Sequence, residues 1–141
     1  MSPRRFECFV AVVDDDESVR RALARLVRSL GFEADVFASG EDFLAALLVR
    51  RPDCVVLDLH MPKVSGFEVQ ARMAEAGLTV PVIVITGHDS PEAQARALSG
   101  GASAYLRKPV DEQVLMQAIQ GAVVGSPRSN GSATKGGGGP S

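Results

Sequence analysis

Five short apolar runs, each followed by a segment of helical spacing, limit what this chain can fold into more than any other feature of it. Residues 8–13, 34–37, 54–59, 82–86 and 104–107 have the β-branched, apolar content of strands. After the first run, Val19, Leu23, Leu26, Val27 and Leu30 fall on one helical face, and Gly31 supplies a helix stop. Phe43, Leu44, Leu47 and Leu48 make a second stripe. Val69 and Met73, four apart, mark a weaker third helix, and Leu115, Ala118, Ile119 and Ala122 recur at i, i+3, i+4 and i+7. A further helix near residues 91–98 is poorly marked. Strand–helix alternation with short connections requires parallel strands and right-handed crossovers, so the chain is expected to form an open α/β sheet covered on both faces. CVVLDL and VIVIT are continuously apolar, as strands buried on both sides must be, whereas EADVF has the mixed character of an edge.

That pattern ends near residue 125. The segment SPRSNGSATKGGGGPS, residues 126–141, holds 11 Gly, Ser or Pro among 16 residues and cannot bury a core. Residues 1–125 are therefore expected to form one domain, and 126–141 a flexible tail or the start of an interdomain linker. The formal charge of the chain is -2; the tail carries Arg128 and Lys135 and no acid, leaving -2 minus +2, or -4, on the folded part. Lys and Arg alternate with acids along the sequence rather than forming a run, so direct nucleic-acid binding is not expected. Cys8 and Cys54 lie in apolar runs without metal-ligand spacing and are expected to be buried thiols. Arg4, Arg5 and Glu7 precede the first run with no signal-peptide stretch, and no apolar segment approaches the ~20 residues that span a bilayer, so a cytoplasmic location without membrane insertion is expected.

An open parallel sheet binds ligands beyond the carboxyl ends of its strands. Here VAVVDDD ends in Asp14, Asp15 and Asp16, CVVLDL near Asp58, VIVITG in Thr86 and AYLRKP in Lys108. Three carboxylates, a hydroxyl and an ammonium can thus meet on one edge. Gathered carboxylates repel unless one is protonated or a cation neutralises them. With oxygen donors only, and no Cys or paired-His spacing, Mg2+ or Mn2+ suits the group better than zinc. An aspartate beside such an ion can attack phosphorus, with Lys108 and Thr86 meeting the remaining phosphoryl oxygens. Blander roles exist for each residue. The acids can cap a helix, as Asp16 to Ser18 are suited to do; Lys108 can form a structural ion pair with Asp58; Thr86 is an ordinary strand residue; and Tyr105 can fill space. A hydrolase of the haloacid-dehalogenase type would use a similar set, but the second Asp of that family, two residues after the nucleophile, is replaced by His60 and no cap insertion is present.

VVDDDESVRRAL, VVLDLHMPKVSGFE, VIVITGHDS and GGASAYLRKPV, with the spacings between them, resemble the receiver domains of two-component response regulators over roughly residues 8–124. The resemblance implies a flavodoxin-like, doubly wound five-stranded sheet of order 2-1-3-4-5 with five helices. It implies that Asp58 is the phosphoacceptor, that Asp14, Asp15, Asp58 and the His60 backbone carbonyl hold Mg2+, and that Thr86 and Tyr105 are switch residues beside Lys108. It further implies a cis bond before Pro109, phosphoryl transfer from a sensor histidine kinase or a small donor, and output to an effector through the fourth helix, fifth strand and fifth helix, with a homodimer as one form of that output. His60 and His88, two residues after Asp58 and Thr86, flank the path of an attacking water in that family and are candidates for tuning the lifetime of the aspartyl phosphate. The chain is thus expected to be a signalling phosphoacceptor, a stand-alone receiver or the N-terminal part of a transcriptional regulator, and not an enzyme.

Overall fold

The computed structural model of the chain describes residues 8–124. In chain order the elements are β1 Phe9–Val13, α1 Glu17–Ser29, β2 Glu33–Phe37, α2 Gly40–Leu47, β3 Cys54–Asp58, α3 Gly66–Glu75, β4 Val82–Thr86, α4 Pro91–Ser99, β5 Ala104–Arg107 and α5 Glu112–Val124. The five strands form one sheet in the order β2-β1-β3-β4-β5, and every neighbouring pair is parallel. Both the strand count and the order agree with expectation.

Alternation within each central strand divides the core in two, because successive side chains of a strand point to opposite faces. Val10 and Val12 join Cys54, Val56, Ile83 and Ile85 on the face covered by Leu23, Ala24 and Val27 of α1 and Leu115, Ile119 and Val123 of α5. Ala11 and Val13 join Val55, Leu57, Val82 and Val84 on the other, beneath Phe43 of α2, Val69 and Met73 of α3, and Ala97 of α4. All residues of β1, β3 and β4 are buried, which is why those runs are apolar throughout. EADVF is an edge strand, and only Ala34 of it is buried.

Polar caps start the helices where the chain leaves the carboxyl edge of the sheet. Asp16, Ser39, Ser65 and Ser90 each accept backbone N–H bonds in the first turn of α1, α2, α3 and α4. The helix poorly marked in the sequence forms with Ser90 as its cap and Pro91 in its first turn, yet Ala97 is its one buried residue. A helix that buries so little has no apolar stripe to reveal it.

Several expectations need correction. Leu48 lies past the end of α2, where it and Val49 are almost wholly exposed instead of extending the apolar stripe. Cys54 is fully buried, and burial pushes its thiol up to about 12, but Cys8 lies just before β1 and is only half-buried. Although Lys and Arg are scattered along the whole chain, four of them share one helix: Arg20, Arg21, Arg25 and Arg28 of α1 line one groove of about 410 Å³ with Glu17 and Val36. Among the described residues, no helix is long and apolar enough to cross a membrane. The boundary expected after residue 125, the tail, and Arg4, Arg5 and Glu7 lie outside the described residues.

Candidate functional site

The carboxyl ends of β1, β3, β4 and β5 bring the candidate residues to one rim. Asp14 follows directly on β1 and is fully buried; Asp58 is the last residue of β3 and is 3% exposed; Asp15 stands beside them in the open. One carboxylate oxygen from each of the three lies within 4.8 Å of the others. Lys108, just after β5, enters this group with its Nζ 2.9 Å from Asp14 Oδ2 and 3.6 Å from Asp58 Oδ1.

The acids are unevenly compensated. Asp14 Oδ1 accepts the Asp16 N–H at 2.9 Å while Oδ2 faces Lys108. Asp58 has the more distant end of the ammonium and a long bond of 3.4 Å from the His60 N–H. Burial and the neighbouring Asp14 charge push the Asp58 carboxyl up to about 6, against the opposing pull of Lys108 and the His60 N–H. Burial acts to lower the Lys108 pKa, but pairing with Asp14 and Asp58 outweighs it and the ammonium is held more firmly than usual. One lysine facing three carboxylates leaves an excess of negative charge, and the only donors among those side chains are oxygens. The group therefore fits a hard divalent cation. Asp16 takes no part in it: its side chain caps α1.

Thr86, the last residue of β4, is fully buried. Its Oγ1 accepts the His88 N–H at 3.0 Å and lies 3.1 Å from His60 Nδ1. The rings of His60 and His88 lean on one another, centroids 4.5 Å apart and planes at 52°. Burial, His88 and Lys108 together lower the His60 pKa, favouring a neutral ring. Tyr105, in β5, packs its ring against the core face beneath α2, α3 and α4, and its hydroxyl donates to Asp89 Oδ1 at 2.9 Å. The Lys108–Pro109 bond is cis.

Two features of the site had no sequence argument behind them. A Cβ added to Gly66 would come within 2.5 Å of the Asp58 carbonyl oxygen and 2.7 Å of Leu59 Cα, so the start of α3 packs directly against the backbone that carries Asp58. The Gly66 N–H donates to the Leu59 carbonyl at 2.9 Å across the same contact. The link from the His60 ring to the Thr86 hydroxyl is the other. Its only sequence signal is that both histidines occupy the same offset from a strand-end site residue.

These residues fall within a match to the response regulator receiver domain over residues 10–120. The chain is 38% identical over 113 residues to nodulation protein W of Bradyrhizobium diazoefficiens, covering 80% of this chain and 50% of that protein. It is 37% identical over 122 residues to the response regulator protein TmoT of Ectopseudomonas mendocina, covering 86% and 56%. The chain thus spans about half the length of the curated relatives it matches. Among solved structures, the crystal structure of a response regulator receiver protein from Burkholderia phymatum is similar with a TM-score of 0.74 and 47% identity, over 85% of this chain and 98% of that one. Sheet order, acidic rim and sequence similarity extend over the same residues, and the chain belongs to the response regulator receiver domain family.

Proposed function

We propose that this receiver takes a phosphoryl group onto Asp58 and converts it into a changed surface. The observation that carries the reading is the meeting of Asp14, Asp15 and Asp58 within 4.8 Å beside the Lys108 ammonium. Receiver domains are signalling phosphoacceptors and not turnover enzymes, so the hydrolase alternative is set aside.

Mg2+, or Mn2+ in its place, held by Asp14, Asp15, Asp58 and the His60 carbonyl, would neutralise charge on the incoming phosphoryl oxygens. The protein's own groups supply the rest. A carboxylate oxygen of Asp58 forms the new O–P bond as the N–P bond of a kinase phosphohistidine, or the O–P bond of a small acyl phosphate, breaks. The leaving imidazole or carboxylate carries away the electron pair. Asp58 needs no general base because the nucleophile is already ionised. Lys108, tethered by Asp14, can swing its ammonium toward a second phosphoryl oxygen, and the Thr86 hydroxyl can donate to a third. Movement of Thr86 and of Tyr105 would then alter the face formed by α4, β5 and α5, shifting the population between two surfaces. His60 and His88, beside the Thr86 hydroxyl, would tune how long the phosphoryl group survives, a reading supported by their contacts with Oγ1. Unchanged autodephosphorylation in both His60→Ala and His88→Ala would end that part of the reading.

Residues 1–125 would be the receiver and 126–141 a tail or linker, with a sensor histidine kinase as donor and an effector domain or protein as target; both relatives are longer than this chain. The setting would be cytoplasmic, with or without a phosphorylation-induced homodimer. Intact mass after incubation with acetyl phosphate and Mg2+ tests the acceptor. One hydrolysable phosphoryl group should be added to the native chain and none to Asp58→Asn, while equal labelling of both would mean that another residue is the acceptor.

A further inference from the structure

The Thr86 hydroxyl is already engaged. It is buried, it accepts the His88 N–H at 3.0 Å, and it lies 3.1 Å from His60 Nδ1. A hydroxyl has one proton and two lone pairs to distribute. If Thr86 donates to Nδ1, its only proton is spent on His60. If instead Nδ1–H donates to Oγ1, both lone pairs are taken, one by each histidine. In the first tautomer the proton that a phosphoryl oxygen would need is already used by the His60 ring, and in the second that proton is free while the ring restrains the position of Oγ1.

We infer that the His60 side chain is a positioning residue that holds the Thr86 hydroxyl in the unphosphorylated arrangement and competes with the phosphoryl group for it. The inference rests on the reading of Thr86 as the switch hydroxyl and Asp58 as the acceptor, and adds a restraint to it. His60 is suited to this task because its backbone follows Asp58 by two residues while its ring reaches across to the end of the next strand, β4. The ring also meets that of His88, with centroids 4.5 Å apart and planes at 52°. His88 thus takes part twice, by its backbone N–H on Oγ1 and by its ring on His60. The site carries a bias toward the unphosphorylated arrangement that is independent of the charge chemistry at Asp58.

The chain supplies its own reporter, since Tyr105 is its one tyrosine and it has no tryptophan. Tyr105 fluorescence is followed while Mg2+-loaded protein is titrated with beryllofluoride, a mimic of the phosphoryl group. His60→Phe keeps a ring against His88 but removes Nδ1, and it should bind beryllofluoride roughly 2- to 10-fold more tightly than the native chain, the range expected for loss of one competing hydrogen bond. His60→Asn, whose amide falls near the position of Nδ1, should return the affinity toward native. With Thr86→Val in the background, His60→Phe should no longer change the affinity. In metal-free protein, urea unfolding of the same four-variant cycle should show coupling between positions 60 and 86 of similar size.

Equal or weaker binding by His60→Phe, with the native chain responding, overturns the restraint and leaves the receiver reading standing. Tighter binding that persists unchanged in the Thr86→Val background also overturns it, by showing that the ring acts elsewhere. No response from the native chain removes both readings.

Discussion

Lys108 Nζ is 2.9 Å from Asp14 and 3.6 Å from Asp58, so the cation of the site sits closer to the acid that does not accept the phosphoryl group in the reading proposed here. Asp14 is fully buried and holds a single backbone N–H besides the ammonium. Removing one partner of such a pair leaves a buried charge uncompensated. Lys108→Met should therefore destabilise metal-free protein by about 2 kcal/mol in urea unfolding, less than a fully buried pair would lose because the lysine remains in part open to water. The same variant with Asp14→Asn should recover most of that loss. An unchanged unfolding midpoint in Lys108→Met would show that the pair contributes nothing to the fold.

Asp58 imposes a cost on the fold that depends on pH. Its carboxyl titrates at about 6 in the folded chain against an ordinary 3.8, with burial as the first cause and the Asp14 charge as the second. A folded-state pKa raised in this way means that the native chain is relatively most stable below the ordinary value, and that this advantage is lost as pH rises through 6. Asp58→Asn should thus be more stable than the native chain at pH 7 without metal, with the difference fading as pH falls from about 6 toward 4. At full value the shift amounts to roughly 3 kcal/mol. As an order of magnitude the expected gain is therefore about 1 to 3 kcal/mol. Mg2+ should stabilise the native chain more than the variant, since binding to the folded state alone adds to stability by mass action. Parallel stability–pH curves for the two proteins would contradict the assignment of the strained charge to Asp58.

What the sequence made legible follows from burial. The strands β1, β3 and β4 have no exposed residue, so apolar runs had to mark them, and a polar residue ending such a run had to stand at the rim. The helix α4 was faint because it buries Ala97 alone, and its start is set by Ser90 and Pro91 and not by a stripe. Leu48 misled because helical spacing cannot tell where a helix stops, and α2 ends one residue before it. Contacts among side chains of different loops leave no periodic trace at all. Nothing in the order of residues says that the His60 ring would reach Thr86, whereas Arg21, Arg25 and Arg28 of α1 recur at i, i+4 and i+7 and their common face was legible.

Gly66 shows a constraint that neither pattern nor motif explains, because its backbone conformation is ordinary and the space around it is not. A methyl group there would meet the Asp58 carbonyl oxygen at 2.5 Å and Leu59 Cα at 2.7 Å, and backbone cannot rotate aside as a side chain can. Gly66→Ala should cost about 3 kcal/mol of stability, at the upper end of what one added methyl does in a packed site. The strain would be relieved by moving either α3 or the end of β3, so phosphorylation by acetyl phosphate should also slow, by roughly tenfold. Native stability and rate in Gly66→Ala would show that the loop yields freely.

Lys63 offers the opposite case, a residue that the fold tolerates with strain. Its φ of 67° puts it in the left-handed region, and it is the one non-glycine described residue with a positive φ. It lies in the connection between β3 and α3, between the buried Met61 and Val64, whose anchoring fixes the path of the chain around it. A side chain with a Cβ costs about 1 kcal/mol in that conformation, and glycine largely escapes the cost. Lys63→Gly should therefore stabilise the chain by about 0.5 to 1 kcal/mol despite the greater freedom glycine gives the unfolded state. Lys63→Asn should gain less, since asparagine tolerates this region better than lysine but not as well as glycine. Lys63→Ala is the control: it removes the exposed ammonium and keeps the Cβ, so it should leave stability unchanged. A gain in Lys63→Ala equal to that in Lys63→Gly would assign the effect to charge and not to the backbone.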